Sequence, residues 1–237
     1  KEEVGTYANT PDATFTKKVT KADVYNAIGK TVYDDLTAKK NASELTVFVD
    51  GEKKTVSDVK DYVVKNDTKT VNSTDNGDLT EVYVDDDSNV LIVTVRTYVF
   101  QAANDYNSKK ETVTVRTLGT LDNKDVVGYE DMAKEDVVLY VQYGGRTYIS
   151  LPEVVTGTMA RVDRDKAEEL YITLESGEEY YESHIRDVAS DVDVDVENFE
   201  DYDAREIPGF DTEYDFILDS NGCLVAVRPA EEVVTNY

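Results

Sequence analysis

The sequence predicts a mainly β fold, built as tandem small β-barrel or β-sandwich modules with a few short helices. Three observations carry that expectation. Val, Thr and 17 Tyr dominate the apolar and semi-polar content, and branched and aromatic side chains fit a pleated, half-buried surface. Apolar and polar residues alternate in short runs broken by Asp50-Gly51, Asn76-Gly77 and Gly144-Gly145, the pairs that suit tight hairpin turns. One hairpin pattern also recurs along the chain, as VYVDDDSNVLIVTV, LYVQYGGRTYISL and FILDSNGCLVAV, which is how repeat architectures announce themselves.

Taken in order, residues 1–19 read as an extended lead-in. Thr20 then caps a short helix whose Val24 and Ile28 share a face and which Gly29 stops. Lys30–Tyr33 is expected to begin extended structure, and 34–43 to connect. Leu45, Val47 and Val49 alternate with Thr46 and Phe48 before Asp50-Gly51, a hairpin. Asp58–Lys65 reads equally as a helical turn or a strand. Val82–Val84, a turn at Asp85–Asn89 and a long return Val90–Phe100 form the first recurring hairpin. The second is Asp136–Val155 and the third Tyr214–Val227.

The leads into these hairpins correspond as well. Thr112–Gly119 (TVTVRTLG) and Glu169–Gly177 (ELYITLESG) are strands, each following a junction at 102–104 or 156–163. Pro152-Glu153-Val154-Val155 and Pro229 with Glu232-Val233-Val234 share an ending. The modules this gives are 20–100, 101–155 and 156–237, the last with an acidic insertion near 186–210.

A formal charge of −25 from 50 acidic and 25 basic residues repels phosphate backbones, so no nucleic-acid partner is expected. No run approaches the ~20 apolar residues of a membrane span. Cys223 is the lone cysteine, excludes an internal disulfide, and reads as a small core hydrophobe. The chain opens KEEVGTYANT without initiator Met or signal peptide, as a piece of a longer protein would.

Leu118–Leu139 (LGTLDNKDVVGYEDMAKEDVVL), with Gly145–Ile149, Val155–Thr158, the GKTVY of Gly29–Tyr33, the VFVDGEKKTV hairpin and the terminal YDFILDSNGCLVAV, resembles the repeat region of S-layer-homology-domain cell-surface proteins of Gram-positive gut Clostridia. The resemblance covers most of residues 20–230. It implies an exported, projecting segment of a wall-tethered protein, located at the cell wall and outside the cell, and carries no catalytic residues.

Candidate chemistry is sparse. Asp191, Asp193 and Asp195 alternate with Val192, Val194 and Val196, placing three carboxylates on one face of a strand, and hard oxygen ligands at this density suit calcium. An EF-hand loop starting at Asp191 would need Gly and Glu where Val196 and Tyr202 stand, so a solvated acidic face is the default. Asp85, Asp86 and Asp87 fall in a predicted turn, where Asp bonds nearby backbone amides. His184 stands alone, with no hydrolase or phosphate-loop motif in the chain. Tyr140, Tyr143, Tyr148, Tyr171, Tyr180 and Tyr181 could stack on sugars or simply furnish strands.

The sequence therefore points to a non-enzymatic stalk, spacer or adhesion segment without a cofactor. Its expected partners are cell-wall or host glycan, or another surface protein. The competing readings are a carbohydrate-binding module and a secreted hydrolase domain, the latter requiring two carboxylates of different pKa in a cleft.

Overall fold

The computed structural model describes residues 7–38, 43–101, 106–115, 119–130, 132–133, 136–143, 145–184, 210 and 212–230. It is mainly β, and it divides into two compact units, Lys1–Arg96 with Val141–Thr147 and Thr97–Tyr140 with Tyr148–Tyr237.

The first unit holds a five-stranded sheet of β1 (Ala13–Phe15), β2 (Leu45–Val49), β3 (Glu52–Lys54), β4 (Leu79–Val84) and β5 (Val90–Val95), in the order β1-β4-β5-β2-β3. β2 and β5 run parallel and the other pairs antiparallel. The lead-in is thus part of the sheet: β1 pairs with β4, and Val19 just after it is fully buried. Asp50 (φ 52°) and Gly51 (φ 82°) make the β2–β3 turn, both in the left-handed region that a tight hairpin turn uses. Of the two readings open for Asp58–Lys65, the structure takes the helical one, a 3-10 turn at Val59–Asp61.

Helix α1 (Lys21–Thr37) corrects two expectations. Thr20 does cap it: its hydroxyl accepts from the Asp23 N–H, and the Asp23 carboxylate accepts from the Thr20 N–H, a reciprocal capping box. Gly29 does interrupt the first helical stretch, with φ 78° and ψ 168°. A second stretch follows at once over Lys30–Thr37, where extended structure (Lys30–Tyr33) and then a connector (34–43) were expected. Ile28, Val32 and Leu36 keep one apolar stripe at four-residue spacing, and all pack on the core of this unit. Tyr25 and Tyr33 meet edge to face at 5.1 Å across the bend. Burial of that stripe accounts for the second helical stretch beyond the Gly29 break.

The return of the first recurring hairpin also differs from its expected form. β5 ends at Val95, and after Arg96-Thr97 a new strand, β6 (Tyr98–Gln101), joins another sheet. Arg96 is anchored at this break, its N–H donating to Asp50 and its guanidinium to the buried Asp78.

Two sets of strands, lying in the second unit apart from Val141–Thr147, follow related pairing orders. The last set is β12 (Glu153–Arg164), β13 (Leu170–Leu174), β14 (Glu179–Tyr181), β15 (Glu213–Leu218) and β16 (Leu224–Pro229), ordered β14-β13-β12-β15-β16. β12 is shared: Glu153–Thr158 pairs with β15 and, beyond a bulge between Met159 and Arg161, Met159–Arg164 pairs with β13. The two sheet edges then meet. Glu182 bridges Leu224 in parallel, and the Ser183 N–H donates to the Leu224 carbonyl at 2.7 Å. Counting the five strands in chain order, the pairing is 1-2-3-5-4 and back to 1, the order of an OB-type Greek-key barrel. Met159, Ile172, Leu174, Tyr214, Phe216, Leu218, Leu224 and Val227 fill its core. Residues 156–163, expected as a junction, are therefore strand. Gly157 and Ala160 obscure the alternation that Val155, Met159 and Val162 maintain toward that core.

The middle set is β6, β7 (Thr112–Val115), β8 (Gly119–Asp122), β9 (Val126–Val127), β10 (Val137–Tyr143) and β11 (Arg146–Ser150). Taking β8 and β9 as two pieces of one third strand, the first pairs with the fourth (β6–β10), the fourth with the fifth (β10–β11), the fifth with the third (β11–β9) and the second with the third (β7–β8), while the first and second strands stand in different sheets. Val113, Val115, Val126, Tyr129, Met132, Val138, Tyr140 and Ile149 form one core across both sheets. Gly128 lets β9 approach β11, since a Cβ there would stand 2.2 Å from the Ile149 carbonyl oxygen. The expected correspondences hold in this plan: Thr112–Val115 and Leu170–Leu174 are both second strands, and the LYVQYGGRTYISL and FILDSNGCLVAV hairpins are both fourth-to-fifth connections. The proposed junction 102–104 lies outside the described residues.

Three hairpin turns share a side-chain device. In Asp85–Asn89, Asp165–Glu169 and Asp219–Cys223, the first residue is Asp and its Oδ1 accepts backbone N–H groups two and four residues on, at 2.8–3.1 Å. In each the fourth residue is left-handed: Ser88, Glu168 and Gly222 have φ of 61°, 62° and 76°. The carboxylate takes up N–H groups that the turn would otherwise leave bare.

Candidate functional site

The outward face of the last barrel gathers the most chemistry in one place. Alternation along β13 sends Ile172 and Leu174 to the core and Tyr171 and Thr173 outward. Cross-strand register then sets Asp163, Tyr171 and Tyr181 in one row and Arg161, Thr173 and Glu179 in the next. The Tyr171 and Tyr181 rings stack with centroids 5.2 Å apart and an interplanar angle of 28°. Arg161 lies 5.8 Å from the Tyr171 ring centre, and its Nη2 is 3.6 Å from Glu179 Oε1. Arg161 follows the β12 bulge, a feature that re-aims side chains. Burial, and next the Asp165 carboxylate, raise the Tyr181 hydroxyl above its usual range.

The other tyrosines divide by role. Tyr140 is buried and stacks on Tyr98 at 4.8 Å, and Tyr180 packs on the barrel core. Tyr143 and Tyr148 are 50% and 39% exposed.

A second cluster lies at the barrel seam. Asp219 is 1% exposed and its Oδ2 is buried without a hydrogen-bond partner among the described residues. Burial raises its carboxyl above the ordinary carboxylate range; the N–H groups of Cys223 and Asn221, the Ser183 hydroxyl and His184 partly oppose this. Ser183 and His184 thus lie near Asp219, where the sequence offered His184 alone. They do not make an accessible nucleophile, because Ser183 is 2% exposed and Asp219 Oδ1 is committed to two backbone donors. Cys223 is buried beside them, as a core hydrophobe would be.

Of the acidic candidates, Asp85 is taken up by its own turn, accepting from the N–H groups of Asp87 and Asn89 and from the Asn89 amide. Asp86 and Asp87 are exposed at the turn. Asp191, Asp193 and Asp195 lie outside the described residues. Among the described residues, no three His, Cys, Asp or Glu side chains are grouped to hold a metal ion. No helix among them is long and apolar enough to cross a membrane.

Sequence reasoning missed Arg161 and the Asp219–Ser183 contact. Alternation from Ile172 could have set Tyr171 outward, but pairing it with Tyr181 and Arg161 needed the register. No protein-family model matches the chain, and no curated protein matches it at significant similarity.

Proposed function

We propose that this chain is a non-enzymatic segment of a wall-anchored bacterial cell-surface protein, serving as a stalk, spacer or adhesion region. The observation that supports this reading is the succession of two sets of strands with related pairing orders along the chain. β11 closes the first copy and, after Leu151 and Pro152, β12 opens the next. In arrays of small modules each repeat contacts only its neighbours, so the chain gains reach with every module added. The charge of −25 suits a solvated, exposed surface. The resemblance to S-layer-homology-domain surface proteins gives the same location. Antibodies raised against residues 1–237 should label intact cells of the producing organism, and brief trypsin treatment of those cells should remove the label. Labelling confined to permeabilised cells would refute the proposal.

A further inference from the structure

We propose that the outward face of β12, β13 and β14, centred on Tyr171 and Tyr181, binds a neutral oligosaccharide. Binding goes beyond the spacer reading and does not depend on it. Aromatic rings at this place are not a requirement of the related strand plan. In the middle copy the corresponding second and third strands carry Thr114 and Thr120, whose hydroxyls bond each other at 2.9 Å, and that copy forms its core without aromatic rings there. Nor is the Arg161–Glu179 pair a stabilising device, since both side chains are about half exposed and such pairs contribute little.

The chemistry of the face fits a sugar. Arg161, Tyr171 and Tyr181 lie side by side across three strands, with the two tyrosines half-buried and their remaining ring surface on the outward side of the sheet. A pyranose offers an apolar face of C–H groups to such a ring and a rim of hydroxyls to its neighbours. Asp163 and Glu179 would accept from those hydroxyls, and Arg161 and Thr173 would donate. All four stand in the same two rows as the rings. The Asp165–Glu169 turn borders the face at the β12–β13 end. In five-stranded barrels of this type, the second and third strands with their adjoining loops are a docking surface for oligosaccharides and oligonucleotides. Charge selects between these: Asp163, Asp165 and Glu179 lie on or beside the face and the chain carries −25 overall, so a polyanion is repelled.

The test is an amide-resonance titration of the full chain with cellohexaose and with chitohexaose, each to about 5 mM, a range that detects weak binding. One of these sugars should shift β13 and β14 amides. Tyr171→Ala and Tyr181→Ala should each weaken binding by about tenfold or more, while Tyr148→Ala, on another strand, leaves it unchanged. Arg161→Ala provides an exposed, fold-sparing check should a tyrosine variant unfold, and should also weaken binding. Silence with both sugars, or binding indifferent to the Tyr171, Tyr181 and Arg161 variants, would overturn the proposal. So would a response to decaproline or oligo-dT with both sugars silent. Cell labelling reads the surface location separately, so failure of sugar binding leaves that reading intact.

Discussion

The Asp-stapled turns allow one comparison in which geometry is constant and burial varies. Asp219→Ala removes the acceptor for the N–H groups of Asn221 and Cys223. Cys223 is buried, so water cannot replace the lost partner, and an orphaned buried donor costs about 1–3 kcal/mol. Relief of the buried carboxylate offsets part of this, leaving about 1–2 kcal/mol. For a domain of this size that lowers Tm by about 4–8 °C per kcal/mol. Asp165→Ala removes the same two bonds, but Ala167 is exposed and Glu169 half-buried, so water substitutes and the loss should stay within about 0.5 kcal/mol. Asp219→Asn keeps an acceptor for the backbone donors and sheds the buried charge, and so should be neutral or stabilising at pH 7.

The sign of the pH dependence follows from burial. The folded state holds the Asp219 carboxyl above its ordinary value of 3.8, so folding favours the protonated form. The penalty for the buried charge is full above the folded pKa and disappears as pH falls toward 3.8. Wild type should therefore gain stability relative to Asp219→Asn on acidification through that window. Thermal melts of the four proteins from pH 3.5 to 7, taken as differences from wild type to cancel the other carboxylates, measure this. If Asp165→Ala loses as much as Asp219→Ala, or if Asp219→Asn loses as much as Asp219→Ala, burial is not what distinguishes these turns.

Phe216→Ala empties the largest fully buried position of the last barrel and should cost about 3–5 kcal/mol, with amide exchange rising across β12–β16 but not in β1–β5. Gly128→Ala should sharply destabilise the middle strands, because a Cβ would stand 2.2 Å from the Ile149 carbonyl oxygen and φ there is 91°; unchanged melting would refute that contact. Burial and the bond it donates to Glu81 push the Tyr83 hydroxyl up to about 12, so Tyr83→Phe should remove a late-titrating tyrosinate signal at 295 nm. The unfolded chain loses that proton first, so wild-type stability should fall as pH climbs from about 10 toward 12. With Asp85 already taken up by its turn, triple substitution of Asp85, Asp86 and Asp87 to Asn should leave any response of Tm to millimolar calcium unchanged.

The sequence by itself determined many of the strands and the turns of the recurring hairpins. Period-two alternation marks Leu45–Val49, Val82–Val84 and Leu170–Leu174 as half-buried strands, and turn chemistry at Asp50-Gly51 and in the recurring hairpins sets where they reverse, because these are local properties of backbone and side chain. Even the correspondence between the middle and last copies was visible as pattern. Tertiary structure alone decided what depends on distant partners. Gly29 breaks the helix as its sequence suggests, but the second helical stretch after it forms only because Val32 and Leu36 find a core to enter. Residues 156–163 look irregular until β13 and β15 pair with the two halves of β12. Nothing near Asp219 in sequence brings it Ser183, and nothing near Tyr171 brings it Arg161. Those meetings follow from strand register and barrel closure, which are settled by burying a common core rather than by any residue's own preference.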